Sequence, residues 1–82
     1  MSTLKDNTAE RHRISLIRQT LGRAIAADRD CMIEYRGQSM RVRVVRIREN
    51  PQFRWNTKAI VEFSGVATEI EISEIVTAVV AS

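Results

Sequence analysis

The stretch RVRVVRIR, residues 41–48, alternates arginine with valine or isoleucine but places two valines side by side at Val44 and Val45. Side chains of a β-strand point alternately to the two faces of a sheet, so in a straight strand the first two arginines would face away from the last two. A β-bulge or sharp bend at the two valines keeps all four arginines on one face and the aliphatic side chains on the other. We therefore predict a long, bent strand of the kind that small barrels use to pass from one sheet to the other. Its exposed arginines are Arg41, Arg43, Arg46 and Arg48.

A helix is predicted before this strand. Asn7 is a candidate N-cap, and apolar residues then recur at spacings of three and four over residues 14–25. This period places one apolar stripe on a helix, with Leu16 facing away from the stripe. We predict a helix over residues 9–28 that packs on the strands, preceded by a flexible N-terminus over residues 1–8.

Five short segments with the pattern of β-strands follow the helix. Gly37 and Gly65 mark tight turns, and Pro51 marks a loop because proline does not donate a backbone hydrogen bond. The last segment is rich in β-branched residues without alternation, which is typical of a strand buried on both faces. The predicted strands are residues 31–36, 40–48, 57–63, 66–72 and 75–81.

One helix followed by five strands predicts a mainly β fold with a single domain over residues 9–82. We predict that the helix packs on a five-stranded antiparallel SH3/Sm-like barrel over residues 31–81, which closes to remove its edges. Cys31 lies on the apolar face of its strand, so a buried, unreactive thiol is expected. The side chains predicted to be largely buried are Ile14, Ile17, Leu21, Ile25, Ile33, Tyr35, Val42, Val44, Ile47, Val61, Phe63, Ile70 and Ile72.

Length and composition exclude several classes of protein. A chain of 82 residues makes one domain near the small end of what folds without disulfides or metals, so oligomerisation is an open alternative. The single cysteine has no partner for an internal disulfide, which favours a reducing, cytoplasmic setting. No apolar run approaches the roughly 20 residues of a membrane span, and the N-terminal sequence lacks the apolar core of a signal peptide.

Charge is distributed unevenly along the chain. The net charge is +3, but residues 31–58 carry seven basic and two acidic side chains, whereas residues 59–82 carry four acidic and no basic ones. This distribution indicates two separate charged faces, a surface that pairs with its own copy, or ordinary surface charge that is segregated by chance.

Three stretches carry a resemblance to a known family. They are LGRAIAADRDCMIEYRGQ (residues 21–38), which leads from the helix into a first strand, RW (residues 54–55), and ISEIVTAV (residues 72–79). With these elements the chain resembles the small Sm-like and SH3-like barrels and, among them, most nearly the WYL domain of bacterial transcription regulators. The Trp-Tyr-Leu that names the family is Trp-Asn-Thr here, at residues 55–57. The resemblance implies a barrel fold and a regulatory role in sensing nucleic-acid ligands.

No motif in the sequence predicts catalysis, a metal or a cofactor. His12 has no second histidine or cysteine at metal-ligand spacing, and the glutamates over residues 69–74 alternate with isoleucine as on the solvent face of a strand. The three glycines are too far apart to cradle phosphate. We therefore predict that the protein is not an enzyme.

The arginine-rich strand is the strongest candidate binding surface. Arginines two apart on a strand lie roughly 6.6 Å apart, a spacing at which their planar forks could follow phosphates. The alternatives are a merely solvated strand face and a structural role in which the arginines pair with Glu62, Glu69 or Glu71 across neighbouring strands. Trp55, in the proline-containing loop, is either a stacking platform for bases or a plug for the end of the barrel. The candidate nucleic-acid-binding residues are Arg41, Arg43, Arg46, Arg48, Arg54, Lys58 and Trp55.

Two functions of different classes fit this surface. The first is a non-enzymatic nucleic-acid-binding or regulatory module. The second is a protein-interaction module whose basic strand meets an acidic partner, or the acidic strand of another copy, so that strands join edge to edge. The sequence leaves both open, because arginine forks suit carboxylates and phosphates alike.

Overall fold

One α-helix precedes a five-stranded antiparallel sheet. This is a computed structural model that describes residues 3–49 and 57–81, with side chains from residue 9 onward. The predicted mainly β fold, with one N-terminal helix and five antiparallel strands, is confirmed. The elements are α1 (Thr3–Ala27), β1 (Asp30–Tyr35), β2 (Gln38–Arg48), β3 (Lys58–Phe63), β4 (Val66–Glu71), the 3-10 helix η1 (Ile72–Glu74) and β5 (Ile75–Val80).

The sheet has the strand order β4-β3-β2-β1-β5, so β4 and β5 lie at its two edges. Five strands spaced by about 4.8 Å would put these edges roughly 19 Å apart in a flat sheet. The four residue steps from Glu71 to Ile75 span at most about 14 Å, so the sheet must be curled where η1 joins the two edge strands. The predicted closed barrel is wrong, because η1 connects β4 and β5 end to end and they are not paired along their lengths.

The helix is longer than predicted at its N-terminal end. It begins at Thr3 rather than at residue 9, and Asn7 lies within the helix instead of capping it. Residues 3–8 contain neither glycine nor proline, so their backbone chemistry permits the helix to continue. Most of the segment predicted as an N-terminal tail is therefore helical.

The helix ends in a Schellman motif, in which two backbone N–H groups beyond the helix bond to carbonyls of its last turn. The Asp28 N–H donates to the Ile25 carbonyl at 3.1 Å, and the Arg29 N–H donates to the Ala24 carbonyl at 3.0 Å. Asp28 takes the left-handed conformation that this motif requires, with φ of 54°. The motif turns the chain directly into β1.

The core lies between the helix and the concave inner face of the sheet. The apolar stripe of α1 packs mainly on β5 and β2. Leu21 is 0% exposed, and most residues predicted as core are confirmed as buried. The buried apolar side chains are Ile14, Ile17, Leu21, Ala24, Cys31, Ile33, Val42, Val44, Ala59, Val61, Ile70, Ile72 and Ile75.

Four residues predicted as core are less buried than expected. Ile25 and Phe63 are exposed, because Ile25 lies in the last turn of the helix and Phe63 lies at the tip of the β3–β4 hairpin, away from the strands on which the helix mainly packs. Tyr35 and Ile47 are half-buried at the border of the core. The prediction of a last strand buried on both faces is also wrong, since β5 is an edge strand with Val79 exposed.

The predicted bulge in β2 is confirmed. Arg43 pairs with Glu62 and Val44 pairs with Val61, but the next paired residue is Arg46, so Val45 is an extra residue in β2. Val45 is 44% exposed. Because β2 accommodates Val45 as an extra residue instead of continuing the regular alternation through it, all four arginines point to the outer face, while the aliphatic side chains before and after the bulge face the core.

Both two-residue hairpin loops in the described part of the chain have positive φ at each position. Arg36 and Gly37 connect β1 to β2 with φ of 51° and 77°, and Ser64 and Gly65 connect β3 to β4 with φ of 53° and 82°. This is the type I′ turn, whose twist matches that of the flanking strands. It sets the register of both hairpins.

Replacing Gly65 and Gly22 by alanine should have opposite effects on stability. Gly65→Ala should lower the free energy of unfolding by about 1–2 kcal/mol, because a Cβ at φ of +82° crowds its own backbone. Gly22→Ala should raise it by up to about 1 kcal/mol, because no atom beyond the neighbouring helix backbone and the adjacent residues lies within 4 Å of the added Cβ and alanine favours a helix. Urea unfolding of both variants measures this, and equal stability of Gly65→Ala and the parent would contradict the turn assignment.

Candidate functional site on the outer face of the sheet

The four arginines of β2 form a single line on the convex outer face, opposite the helix. We call Arg41, Arg43, Arg46 and Arg48 the arginine row. All four are exposed, and the side chains of Arg41, Arg43 and Arg48 retain between 56% and 58% of their accessible surface. Since β2 is the central strand of the sheet, the row follows the middle of the outer face.

Acidic side chains flank the row on both sides. Strand pairing places Asp30 beside Arg43 on the β1 side and Glu62 beside it on the β3 side. The outer face of the described strands carries as many carboxylates as bases, so its long-range electrostatic field is weak. The bases are the arginine row and Lys58, and the carboxylates are Asp30, Glu34, Glu62, Glu69 and Glu71.

The two arginines nearest the N-terminal end of β2 form hydrogen bonds with carboxylates near the start of β1. Arg41 Nε donates to Asp30 Oδ2 at 2.8 Å, and Arg43 donates to Asp28 Oδ1. Asp28 is brought there by the Schellman motif at the end of the helix. The helix end therefore contributes directly to the electrostatics of the outer face.

At the other end of the row, Arg48 Nη1 donates to Glu69 Oε2 at 2.9 Å across β3. Arg46 lies between the paired arginines and has no ion pair or side-chain hydrogen bond with the described residues. All three pairs are exposed, and exposed ion pairs contribute only about 0.2–1 kcal/mol each. The arginines can therefore exchange partners at little cost.

The remaining predicted site residues divide into two groups. Lys58 is half-buried on the outer face. In the strand register it lies opposite Arg48 of β2 and Glu71 of β4. Arg54 and Trp55 lie outside the described residues. The structure thus brings five of the seven predicted residues together on one face.

Glu69 was named among the possible partners of the row in the sequence analysis, but Asp28 and Asp30 were missed, although a signal for both was present. A two-residue turn at Arg36 and Gly37 sets a hairpin register that places Asp30 beside the arginines. Asp28 is then close because it is two residues away. Glu69 has no comparable local signal, since its position depends on the pairing of β3 with both β2 and β4.

A small groove lies at the bulge. Its volume is about 280 Å³, and its lining includes the aliphatic side chains of Ile25 and Val45. The charged residues of the lining are Arg29, Arg43, Glu62 and Asp28. Their charges balance, so the groove has no preference for an anion or a cation.

A second polar cluster fastens the β1–β2 turn to η1. The Tyr35 hydroxyl donates to Glu74 Oε2 at 3.3 Å, and Arg36 pairs with the same carboxylate at 3.2 Å. The Arg36 guanidinium also lies 5.3 Å from the centroid of the Tyr35 ring. Burial raises the pKa of the Tyr35 phenol, which keeps the hydroxyl protonated as a donor. The cluster has a structural role.

Arg13 links the helix to the chain that connects the two edge strands. Its guanidinium donates to the Ser73 carbonyl at 2.9 Å and to the carbonyl of Ile75, and it also pairs with Glu10. Two backbone carbonyls at the end of η1 thereby gain a charged donor.

The isolated reactive side chains have no catalytic surroundings in the described part of the chain. His12 is exposed on the helix, and Cys31 is fully buried, where burial raises the pKa of its thiol. Within residues 3–49 and 57–81, no group of three or more metal-ligating side chains is gathered in one place. No helix in those same ranges combines the length and apolarity required to cross a membrane.

Comparison with known proteins gives no relative: no protein-family model, curated protein or solved structure matches this chain. Function is therefore inferred from the geometry of the outer face.

Proposed function

We propose that this protein is a non-enzymatic module that binds the backbone of nucleic acid through the arginine row. The observation that supports the proposal is the line of four guanidinium groups along one exposed strand, which the bulge at Val45 preserves across the extra residue. A guanidinium fork matches phosphate oxygens as well as carboxylate oxygens. Several such forks in one line suit a ligand that repeats its charge along a chain.

The intramolecular ion pairs are compatible with this role. Each pair of the row is exposed, so little free energy opposes the replacement of its carboxylate by a phosphate. Arg46 has no carboxylate to displace among the described residues and would be the first contact. Because the outer face as a whole has balanced charge, we expect modest affinity that depends on short-range contacts.

Further features are consistent with the proposal. Lys58 adds a base on the same face, and we include Arg54 and Trp55 at the rim on the basis of the sequence. The resemblance to WYL domains points to the same ligand class, and a regulatory role remains part of the proposal. The single cysteine supports a cytoplasmic location.

Direct binding measurements test the proposal. Labelled single-stranded and double-stranded DNA and RNA should bind at about 50 mM salt and weaken steeply at about 200 mM, since each phosphate contact releases counterions. Light scattering on the same samples gives the mass of the protein alone and of the complex. Absence of binding to all four ligands at the lower salt concentration would contradict the proposal.

A second candidate is a protein-interaction module that joins strands edge to edge, through an edge strand instead of the basic β2, because β2 already pairs with β1 and β3. The observation that favours it is β5, an edge strand without any charged residue and with Val76 and Val79 exposed. Natural proteins usually protect such edges with charge, proline or a bulge, because an unprotected edge pairs with other strands. The irregularity of β5 lies at its start, at Val76, so residues 77–80 remain open to another strand. The partner would be a second copy, through its acidic β4 edge, or another acidic protein.

Replacing Val79 by lysine tests this candidate. If the parent self-associates through β5, the variant should have the mass of a monomer at concentrations where the parent is a dimer or larger, because a charge on an edge opposes strand addition. Val45→Lys is the matched control, since Val45 is also exposed but lies on the central strand. A parent that is monomeric at every concentration, with no acidic protein partner, would exclude the interaction module.

A further inference from the structure

Three carboxylates, from the turn after α1, from β1 and from β4, reach the arginine row from both of its sides. Asp28 follows the helix and Asp30 begins β1, and both approach from the β1 side. Glu69 belongs to β4 and approaches across β3. Together they hold three of the four arginines, and only Arg46 at the centre is left without an ion pair among the described residues.

We infer that Asp28, Asp30 and Glu69 are built-in competitors that set the affinity of the arginine row for phosphate. The inference rests on the proposed function and concerns the regulation of that same site. A phosphate that approaches the row contacts Arg46 directly but must take each neighbouring guanidinium from a carboxylate. Binding therefore exchanges one hydrogen-bond acceptor for another, and the free energy of each new arginine–phosphate contact is partly offset by the loss of an arginine–carboxylate pair.

The chain offers a close control for this inference. Glu34, Glu62 and Glu71 lie on the same outer face, and none forms an ion pair with the arginine row. Neutralising them changes the net charge of the protein by the same three units. A comparison of the two sets therefore separates specific competition from a general gain in positive charge.

The substitutions themselves preserve the local structure. Asp28 has a φ of 54°, and asparagine is among the residues that best tolerate the left-handed region. Asp30→Asn and Glu69→Gln keep the size and shape of each side chain. The competitor variant is Asp28→Asn with Asp30→Asn and Glu69→Gln, and the control variant is Glu34→Gln with Glu62→Gln and Glu71→Gln.

Binding of one short labelled duplex at a fixed low salt concentration tests the inference on the full chain. The competitor variant should bind roughly tenfold more tightly than the control variant, which corresponds to three exposed pairs that no longer compete. A melting curve for each variant verifies that it is folded. If the triple variant unfolds, the single variant Glu69→Gln is compared with Glu71→Gln, a control two residues away on the same strand. Glu69→Gln should bind about twofold to threefold more tightly, which corresponds to the loss of one exposed ion pair.

The outcomes distinguish the inference from the proposed function. Equal affinities of competitor and control variants, with a parent that binds, would overturn the inference and leave the proposed function intact. Binding by the competitor variant alone would support the inference and show that the parent row is fully occupied by its own carboxylates, against the proposed function. Absence of binding by the parent and both variants would overturn both.

Discussion

Replacing Leu21 by alanine should lower the free energy of unfolding by about 2–5 kcal/mol. Leu21 is 0% exposed and lies at the centre of the apolar stripe that α1 packs on the sheet. Truncation removes buried methyl groups and leaves a cavity that the neighbouring strands fill only partly. In a domain of this size the loss is a large part of the total stability. Chemical denaturation of parent and variant measures it.

Leu16→Ala is the matched control, because it is the same chemical change on the same helix. Leu16 is 49% exposed and faces away from the sheet, so we expect a change within about 0.5 kcal/mol. If Leu21→Ala melts within a few degrees of the parent, the helix is not part of the main core and instead packs on a partner.

Replacing Arg43 and Arg46 together by glutamine should weaken nucleic-acid binding by at least about tenfold, since each arginine would lose a charged hydrogen bond to phosphate. The loss should be about equal for every base sequence, because phosphate contacts carry little sequence information. The slope of log affinity against log salt should fall by roughly 1–2 units, about one for each lost contact. Titrations at several salt concentrations give both quantities.

Arg11→Gln with Arg23→Gln removes the same charge from the helix, on the other side of the sheet, and should leave binding nearly unchanged. Thermal stability of the Arg43 and Arg46 variant should also change little, since only the exposed pair with Asp28 is lost. A substantial loss of stability would show instead that the row is structural. A parent without binding, combined with a change of oligomer size in the variant, would favour the interaction module.

Features with a short period in the sequence were predictable. The alternation of arginine and aliphatic residues has a period of two, so its one break at Val44 and Val45 located the bulge and the outward direction of the row. The stripe of the helix has a period of 3.6, so Leu21 was assigned to the core and Leu16 to the surface. Both signals depend only on residues close in the chain.

Features that depend on how elements are placed were not predictable in the same way. Ile25 and Phe63 share a face with core residues but are exposed, because burial also depends on which part of the sheet the helix covers. The unpaired edges of the sheet depend on contacts between strands that are distant in sequence. The pairing of Arg43 with Asp28 required the conformation of the helix end as well as the register of a hairpin.

The extra residue at Val45 separates the curvature of β2 from the choice of side chains on its two faces. Without Val45 the segment reads Arg-Val-Arg-Val-Arg-Ile-Arg, an unbroken alternation in which every arginine and aliphatic residue keeps its present face. A bulge bends its strand, so one extra residue is sufficient to bend an otherwise regular β2. Deletion of Val45 would remove the bulge without altering which groups the strand presents, so the curvature of the sheet is open to evolutionary change separately from its surface chemistry.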